Sequence, residues 1–338
     1  MNILVLIDKF KNSLSSSTLG YLCKSTLSNH NVDYFPISDG GDGFLQTILA
    51  KNNNIKKRDI RVYDALKKKK SIEYLIDGDK AYIEIAKIIG YNKEKKLDIY
   101  NATSFGVGQV ILDAIKQNVK KFYIGLGGTI TNDGGKGMLE ALGFNFNENS
   151  IINNLNIDFS KYQFNIISDV NNPLLGNNGA TYVFSKQKGA KESDFVILER
   201  RLEDFSNLVT NYVNNDYTNH LGSGAAGGLG FAFLSILKAK YISGINFTLD
   251  YLNIDQIIDN YDLIITGEGK VDKQSLNGKI VFEIANRYKK DTLILCAKKT
   301  IQQDNIYSIV PSIADTYHSK KYPVFYFKKL LKSIDKLN

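Results

Sequence analysis

Apolar and polar residues alternate in blocks along this chain, and the blocks change period part-way through. Residues 3–7 form an unbroken apolar run, Ile-Leu-Val-Leu-Ile, the pattern of a strand covered on both faces. Polar residues 8–13 follow. Ser15 to Ser17 supply a helix cap, and Leu19, Leu22, Cys23 and Leu27 then line one side of a predicted helix reaching about residue 28. Residues 32–37 read as a second strand, ending in Ser38-Asp39-Gly40-Gly41-Asp42-Gly43 before a helix to about residue 50. Strand, polar loop and helix in repetition predict α/β layering with parallel strands. The rhythm then changes. Residues 60–66, 71–76 and 81–85 are strand-like, and Asp77-Gly78 between the last two predicts a hairpin. Antiparallel strands after parallel ones place the start of a second domain near residue 65.

The stretch around which the rest is organised runs over residues 122–143. It predicts a short apolar strand, a turn carrying Gly125, Gly127, Gly128, Gly134, Gly135 and Gly137, and a helix from about Lys136 that stops at Gly143. Glycines in such numbers let backbone N–H groups face a ligand, and the helix start behind them favours anions. A phosphate cradle is the functional reading. It is not the common P-loop: Gly137 stands where Ser or Thr would follow Gly-Lys, and Ile130 stands where the first glycine would fall. A strand over 164–167 ends in Ser168-Asp169-Val170-Asn171-Asn172-Pro173, and residues 192–213 predict a charged amphipathic helix. Further on come a helix over 231–240 and a strand over 262–266. That strand leads into a loop from Gly267 to Gln274, a helix from Lys279 to Tyr288, a strand over 293–297 and a final helix over 322–336.

Composition narrows the classes. A length of 338 residues points to two domains. The chain is 43% hydrophobic and 23% charged, with no apolar run of eighteen, so it reads as a soluble protein with no membrane partner. The apolar run at the start is too short for a signal peptide. Cys23 and Cys296 are far apart with no motif spacing, which fits a reducing cytoplasm and two buried thiols. The three histidines have no metal-pair spacing, which argues against zinc. A net charge of +8 raises the question of nucleic acid. The basic run Lys67 to Lys70 lacks interleaved aromatics, however, and reads as a solvated loop, so no nucleic-acid partner is expected.

Loops that leave the carboxyl ends of parallel strands share one edge, where ligands bind. Five such loops carry unusual polar residues: Asp8/Lys11, Asp39/Asp42, Thr129/Asn132/Asp133, Asp169/Asn171 and Glu268/Lys270/Asp272. This inventory suits phosphoryl transfer, which depends on positioning and charge neutralisation. Carboxylates hold magnesium, lysines meet phosphates, glycine amides cradle them, and one Asp accepts the proton of the attacking hydroxyl. The letters Gly222-Ser-Gly-Ala-Ala-Gly227 fit a dinucleotide fingerprint and leave an oxidoreductase as the alternative class. The polar residues 214–221 before them are not a strand, which weakens that alternative.

With these motifs side by side, the chain resembles the type I glycerate kinases over nearly its whole length. The resemblance rests on Asp8-Lys9-Phe10-Lys11-Asn12-Ser13-Leu14, Ser38-Asp39-Gly40-Gly41-Asp42-Gly43, Ser104-Phe105-Gly106-Val107-Gly108 and Gly127-Gly128-Thr129-Ile130-Thr131-Asn132-Asp133-Gly134-Gly135. It continues at Asp169-Val170-Asn171-Asn172-Pro173-Leu174, Gln187-Lys188-Gly189-Ala190, Gly224-Ala225-Ala226-Gly227-Gly228-Leu229-Gly230 and Thr266-Gly267-Glu268-Gly269-Lys270-Val271-Asp272. It implies a Rossmann-like parallel-sheet domain formed by both chain ends (residues 1–64 and 255–338), an inserted mixed α/β domain (65–254), and an active site in the cleft between them. It also implies ATP-dependent phosphorylation of D-glycerate at the 2-hydroxyl, with magnesium, to give 2-phosphoglycerate; a related small hydroxy acid is the alternative substrate. On this reading Asp169 is the expected general base, with Asp39 second, and Lys11 and Lys270 neutralise the glycerate carboxylate or the transferring phosphate. Gly127, Gly128, Thr129, Thr131, Asn132, Gly134 and Gly135 are expected at the nucleotide phosphates, and Asp272 with Glu268 at the metal.

Overall fold

The structure is a computed structural model that describes every residue except 92–96, 148, 149, 156, 274, 276–279 and 338. The chain packs as two compact units. The first comprises Met1–Ser38, Gln46–Asn53 and Ile245–Asn338, and the second Asp39–Leu45 and Asn54–Gly244. In chain order the strands are β1 (Asn2–Ile7), β2 (Asn31–Tyr34), β3 (Lys56–Tyr63), β4 (Lys69–Asp77), β5 (Lys80–Glu84), β6 (Lys121–Gly125) and β7 (Phe144–Asn147). They continue with β8 (Ser150–Asn153), β9 (Gln163–Ile167), β10 (Lys240–Ile242), β11 (Leu263–Val271), β12 (Thr292–Lys299) and β13 (Ile306–Val310). Among the described residues no helix is long and apolar enough to cross a membrane.

The first unit is built on a wholly parallel sheet in the order β13-β12-β11-β1-β2. The apolar run of β1 sends alternate side chains to opposite faces. Ile3, Val5 and Ile7 pack with Leu19, Leu22 and Cys23 of the helix Ser16–Thr26 and with Phe327 of the helix Pro323–Lys332. Leu4 and Leu6 pack with Leu249, Ile254 and Ile284 on the other face. Ser15 caps the helix Ser16–Thr26 by accepting from the Thr18 N–H, as its position suggested. Both cysteines are free and buried, and burial pushes both thiols up.

Two expectations in this unit change. The strand expected to end at Thr266 runs on to Val271, because it stays paired with β12 through Lys270 beside Lys298 and Val271 beside Lys299. The supposed loop from Gly267 therefore begins only at Asp272. The C-terminal helix expected over 322–336 is shorter, Pro323–Lys332, and a separate short helix, Thr316–Lys321, precedes it. Pro323 has no N–H to continue the earlier helix and is suited to open the later one. Gln274 and Lys279, at the ends of an expected loop and helix, lie outside the described residues.

The second unit holds a six-stranded sheet in the order β10-β9-β6-β5-β4-β3. Strands β5, β6, β9 and β10 are parallel, and β3, β4 and β5 antiparallel. The hairpin at Asp77-Gly78 is present, with Asp77 opposite Lys80. The divisions expected at residues 64/65 and 254/255 fall elsewhere. β3 pairs along its length with β4, which ties residues 56–63 to this sheet, while Ile245, Leu249, Leu252 and Ile254 pack in the first unit.

The core of the second unit is rich in aromatic rings. Phe164 on β9 stacks on Phe122 of β6, with centroids 4.8 Å apart, and also meets Phe233. Phe164 is almost fully buried. Replacing it with Ala would remove ring contacts from two layers, so Phe164→Ala should cost about 3–5 kcal/mol in denaturant unfolding. A loss below about 1 kcal/mol would show that the site collapses around the smaller side chain.

Candidate functional site

Strands β5, β6, β9 and β10 run parallel and end on one edge of the second sheet, and the segment Asp39–Gly43 lies directly on that edge. A β-carbon on Gly125 would fall 2.4 Å from the Gly40 carbonyl oxygen, and one on Gly127 would fall 2.4 Å from the Gly41 Cα. Backbone thus meets backbone, which only glycine permits. The Asp39 Oδ1 accepts from the Gly41 N–H at 2.9 Å. On the far side, Asp169 at the end of β9 holds the turn after β10. Its Oδ1 accepts from the Ser243 hydroxyl and the Gly244 N–H, each at 2.8 Å. Gly244 in turn presses on the Asp39 backbone, where a β-carbon would come within 2.4 Å of the carbonyl. Asp39, Asp169, Gly127 and Gly128 are therefore neighbours on one edge.

Glu84, the last residue of β5, belongs to the same edge. Its Oε2 accepts from the Leu45 N–H at 3.1 Å, at the start of the helix Phe44–Lys51. Burial raises its carboxyl above the ordinary range, against the opposing pull of the Leu45 and Gly43 backbone donors. In the sequence Glu84 looks like one more strand position between Ile83 and Ile85. An acid inside an apolar run was the available signal.

The loop 126–135 is rich in unused donors. Leu126, Ile130 and Gly134 give their N–H groups to the carbonyls of Ile167, Ile89 and Gly227. The N–H groups of Gly127, Gly128, Thr129, Thr131, Asn132 and Asp133 donate to no other described residue. The Thr129 hydroxyl and the Asn132 Oδ1 are buried without a partner among the described residues. Buried polar groups in native proteins are nearly always satisfied, so this concentration of unused donors and acceptors suits a polar ligand or water. Asp133 has a different task. It accepts from the Ser104 N–H and hydroxyl (2.7 and 2.8 Å), the Gly135 N–H (3.1 Å) and the Gly137 N–H (3.2 Å), fastening the loop to the start of the helix Lys136–Ala141. Thr131, Asn132, Gly134 and Gly135 form the inner half of the loop. There Asn132 Nδ2 donates to Thr181 and a buried lysine, Lys188, donates to the Thr131 carbonyl at 2.7 Å. Beside Asn132 and Asp133 opens a cavity of about 590 Å³, lined also by Tyr100, Phe146, Lys136 and Arg201.

The remaining expected residues cluster in the first unit. Lys11 is exposed on a tight turn closed by hydrogen bonds between Phe10 and Leu14. Gly269 lies against that turn, since a β-carbon there would be 3.3 Å from the Lys11 nitrogen. Lys270 Nζ pairs with Asp272 at 2.8 Å, and Glu268, two positions before Lys270 on β11, is half-buried. Among the described residues no three His, Cys, Asp or Glu side chains form a ready metal cage.

The glycine-rich Gly222–Gly228 segment does not make a dinucleotide turn. No strand precedes it, and Ala226, Gly227 and Gly228 adopt left-handed φ values of 55°, 71° and 86°. The expected helix at 231 is thus the right-handed continuation of Ala225–Ser235.

Comparison with known proteins agrees with the motifs. Residues 3–319 match the model of the glycerate kinase family. The chain belongs to the glycerate kinase family. Its relatives include the glycerate 2-kinase of Escherichia coli K12, 35% identical over 315 residues that cover 86% of this chain and 82% of that one. The glycerate kinase of Bacillus subtilis 168 is 28% identical over 369 residues, covering 99% and 97%. A crystal structure of a Salmonella typhimurium LT2 protein assigned as glycerate kinase 2 superposes with a TM-score of 0.78. It is 28% identical and covers 97% of this chain and 95% of its own. The resemblance read from the motifs is borne out, and with it the place of this glycerate kinase family member among the phosphotransferases.

Glu84 gives this family member a pH signature. A carboxyl raised in the folded state binds its proton more tightly there than in the unfolded chain. Its contribution to stability is full at low pH and is lost as pH rises through the folded value. In thermal melts between about pH 4 and 8, Glu84→Gln should gain on the wild type as pH rises. A constant difference across the range would show that Glu84 titrates as it does in the unfolded chain.

Proposed function

We propose that this chain transfers the γ-phosphoryl group of ATP to the 2-hydroxyl of D-glycerate, giving 2-phosphoglycerate and ADP. One observation carries the reading: a glycine loop with a row of unused N–H donors shares a sheet edge with two aspartates, in a chain of the glycerate kinase family. The loop residues Gly127, Gly128, Thr129, Thr131 and Asn132 would receive the phosphates, with Gly134 and Gly135 shaping the turn behind them. The cavity beside Asn132 has the size and the mixed aromatic and cationic lining that a nucleoside needs.

Asp169 is the base in this scheme. It takes the proton from the 2-hydroxyl as that oxygen bonds to the γ-phosphorus and the bond to the ADP oxygen breaks. The Ser243 and Gly244 donors fix its Oδ1 and hence its orientation. Asp39, held by Gly41, is the second candidate. Lys11 and Lys270 neutralise the carboxylate of glycerate or the transferring phosphate.

Among the described residues no further His, Cys, Asp or Glu joins Asp272 and Glu268 in a metal cage. That set fits magnesium, which takes one or two carboxylates and completes its shell with water and phosphate oxygens. It does not fit a metal that needs a full protein cage. A bound magnesium would draw negative charge from the phosphate oxygens. Two buried thiols are in keeping with a reducing, cytoplasmic setting.

A coupled assay of ADP formation with ATP and D-glycerate tests the reaction, and analysis of the product separates 2- from 3-phosphoglycerate. Asp169→Asn should lower kcat by roughly a hundredfold or more with the melting temperature little changed. Near-normal turnover in that variant would move the base to Asp39.

A further inference from the structure

Lys188, in the motif Gln187-Lys188-Gly189-Ala190, is a charged residue that lies inside the protein, only 4% exposed. It ends the short turn Lys186–Lys188, and its ammonium donates to the Thr131 carbonyl of the phosphate loop at 2.7 Å. Among the described residues it makes no ion pair. The carboxylate whose field reaches it is Asp133, already occupied by four donors. A buried cation held by a carbonyl alone is electrostatically incomplete. The Ser185 hydroxyl beside it is likewise buried and without a partner among the described residues.

The left-handed turn Ala226, Gly227, Gly228 makes room for this arrangement. A β-carbon on Gly227 would lie 1.9 Å from the Thr131 oxygen and 2.9 Å from Lys188 Nζ. The Gly227 carbonyl also receives the Gly134 N–H at 3.1 Å, so the turn grips the loop on both sides of Asn132. In a trans peptide the carbonyl and the following N–H point in opposite directions. With the Thr131 carbonyl turned to Lys188, the Asn132 N–H is turned away from it, and that N–H donates to no described residue. A charged donor on the carbonyl also polarises the peptide and strengthens its N–H as a donor.

We propose that Lys188 is a positioning residue for the polyphosphate of the nucleotide. It fixes the Thr131–Asn132 peptide with its N–H toward the phosphates and places beneath the loop the positive charge that a bound polyphosphate completes. The inference rests on the kinase reading of this loop and goes beyond it by naming the cation.

The proton on Lys188 is then part of nucleotide binding. Burial lowers its pKa to about 8, with Asp133 opposing. The other titratable groups nearby point elsewhere: Lys186 pairs with Glu192 at 3.0 Å, and the Tyr182 ring packs on Phe195. The turn at 226–228 carries none.

Steady-state kinetics with ATP and D-glycerate, together with calorimetric titration of inorganic tripolyphosphate, would compare the wild type with Lys188→Met and Lys188→Arg. Lys188→Met should raise the KM for ATP about tenfold or more and weaken tripolyphosphate binding in step, with the KM for D-glycerate within about twofold. Lys188→Arg should recover most of the loss. The KM for ATP in the wild type should climb above a pH of about 8, and Lys188→Arg, which keeps its proton, should lack that climb. A cooperatively melting Lys188→Met with unchanged tripolyphosphate binding, or with both KM values raised equally, overturns the proposal. If Lys188→Met does not fold, a Lys188→Arg enzyme with the wild-type alkaline climb overturns it. Failure of the kinase reading looks different: the wild type would form no ADP with D-glycerate, while the tripolyphosphate arm would still judge Lys188.

Discussion

The second unit depends on a close contact between backbones. Gly40 and Gly41 lie on the ends of β6 and β9 with Gly125 and Gly127 beneath them, at separations that leave no room for a β-carbon. Parallel strands end with their carbonyls on one edge, and a side chain anywhere along this contact would lift the crossing segment away. The contact brings Asp39 beside the turn that Asp169 holds. It also brings the helix start at Leu45 within reach of Glu84. The acids of the edge are thus placed by glycines that have no chemistry of their own.

Much of this was legible in the sequence because it repeats a local pattern. The apolar run of β1, the Ser15 cap and the Asp77-Gly78 hairpin each follow from a few adjacent residues. Strand ends were less legible, since β11 continues to Val271 through its pairing with β12, a partner more than twenty residues away in sequence. Short strands such as β10, and the antiparallel pair β7 and β8, have too few residues for a period to show. At the candidate site, the glycine loop and its acids announced themselves by composition. Glu84 and Lys188 did not: a buried charge is defined by what surrounds it, and the surroundings of both come from distant parts of the chain.

The loop 126–135 itself carries a single formal charge. Asp133, the acid within it, is spent on four hydrogen bonds that hold the helix start. What the loop has left to offer a ligand is its unused peptide N–H groups, with the Thr131 carbonyl held by a buried lysine. Fixed backbone dipoles need no reorganisation when a neighbouring charge shifts, an advantage over a ring of mobile side chains.

The chain enters the second unit twice, first for Asp39–Leu45 and again from Asn54 to Gly244. The inserted stretch is therefore not a self-sufficient module. A fragment cut at residues 54 and 244 would keep all six strands yet lack the segment that covers Gly125 and Gly127 and the Leu45 donor that Glu84 accepts from. The short peptide it lacks is a keystone supplied from far upstream, so gene fusions or truncations that treat residues 54–244 as a portable domain would transplant a sheet without its finished edge.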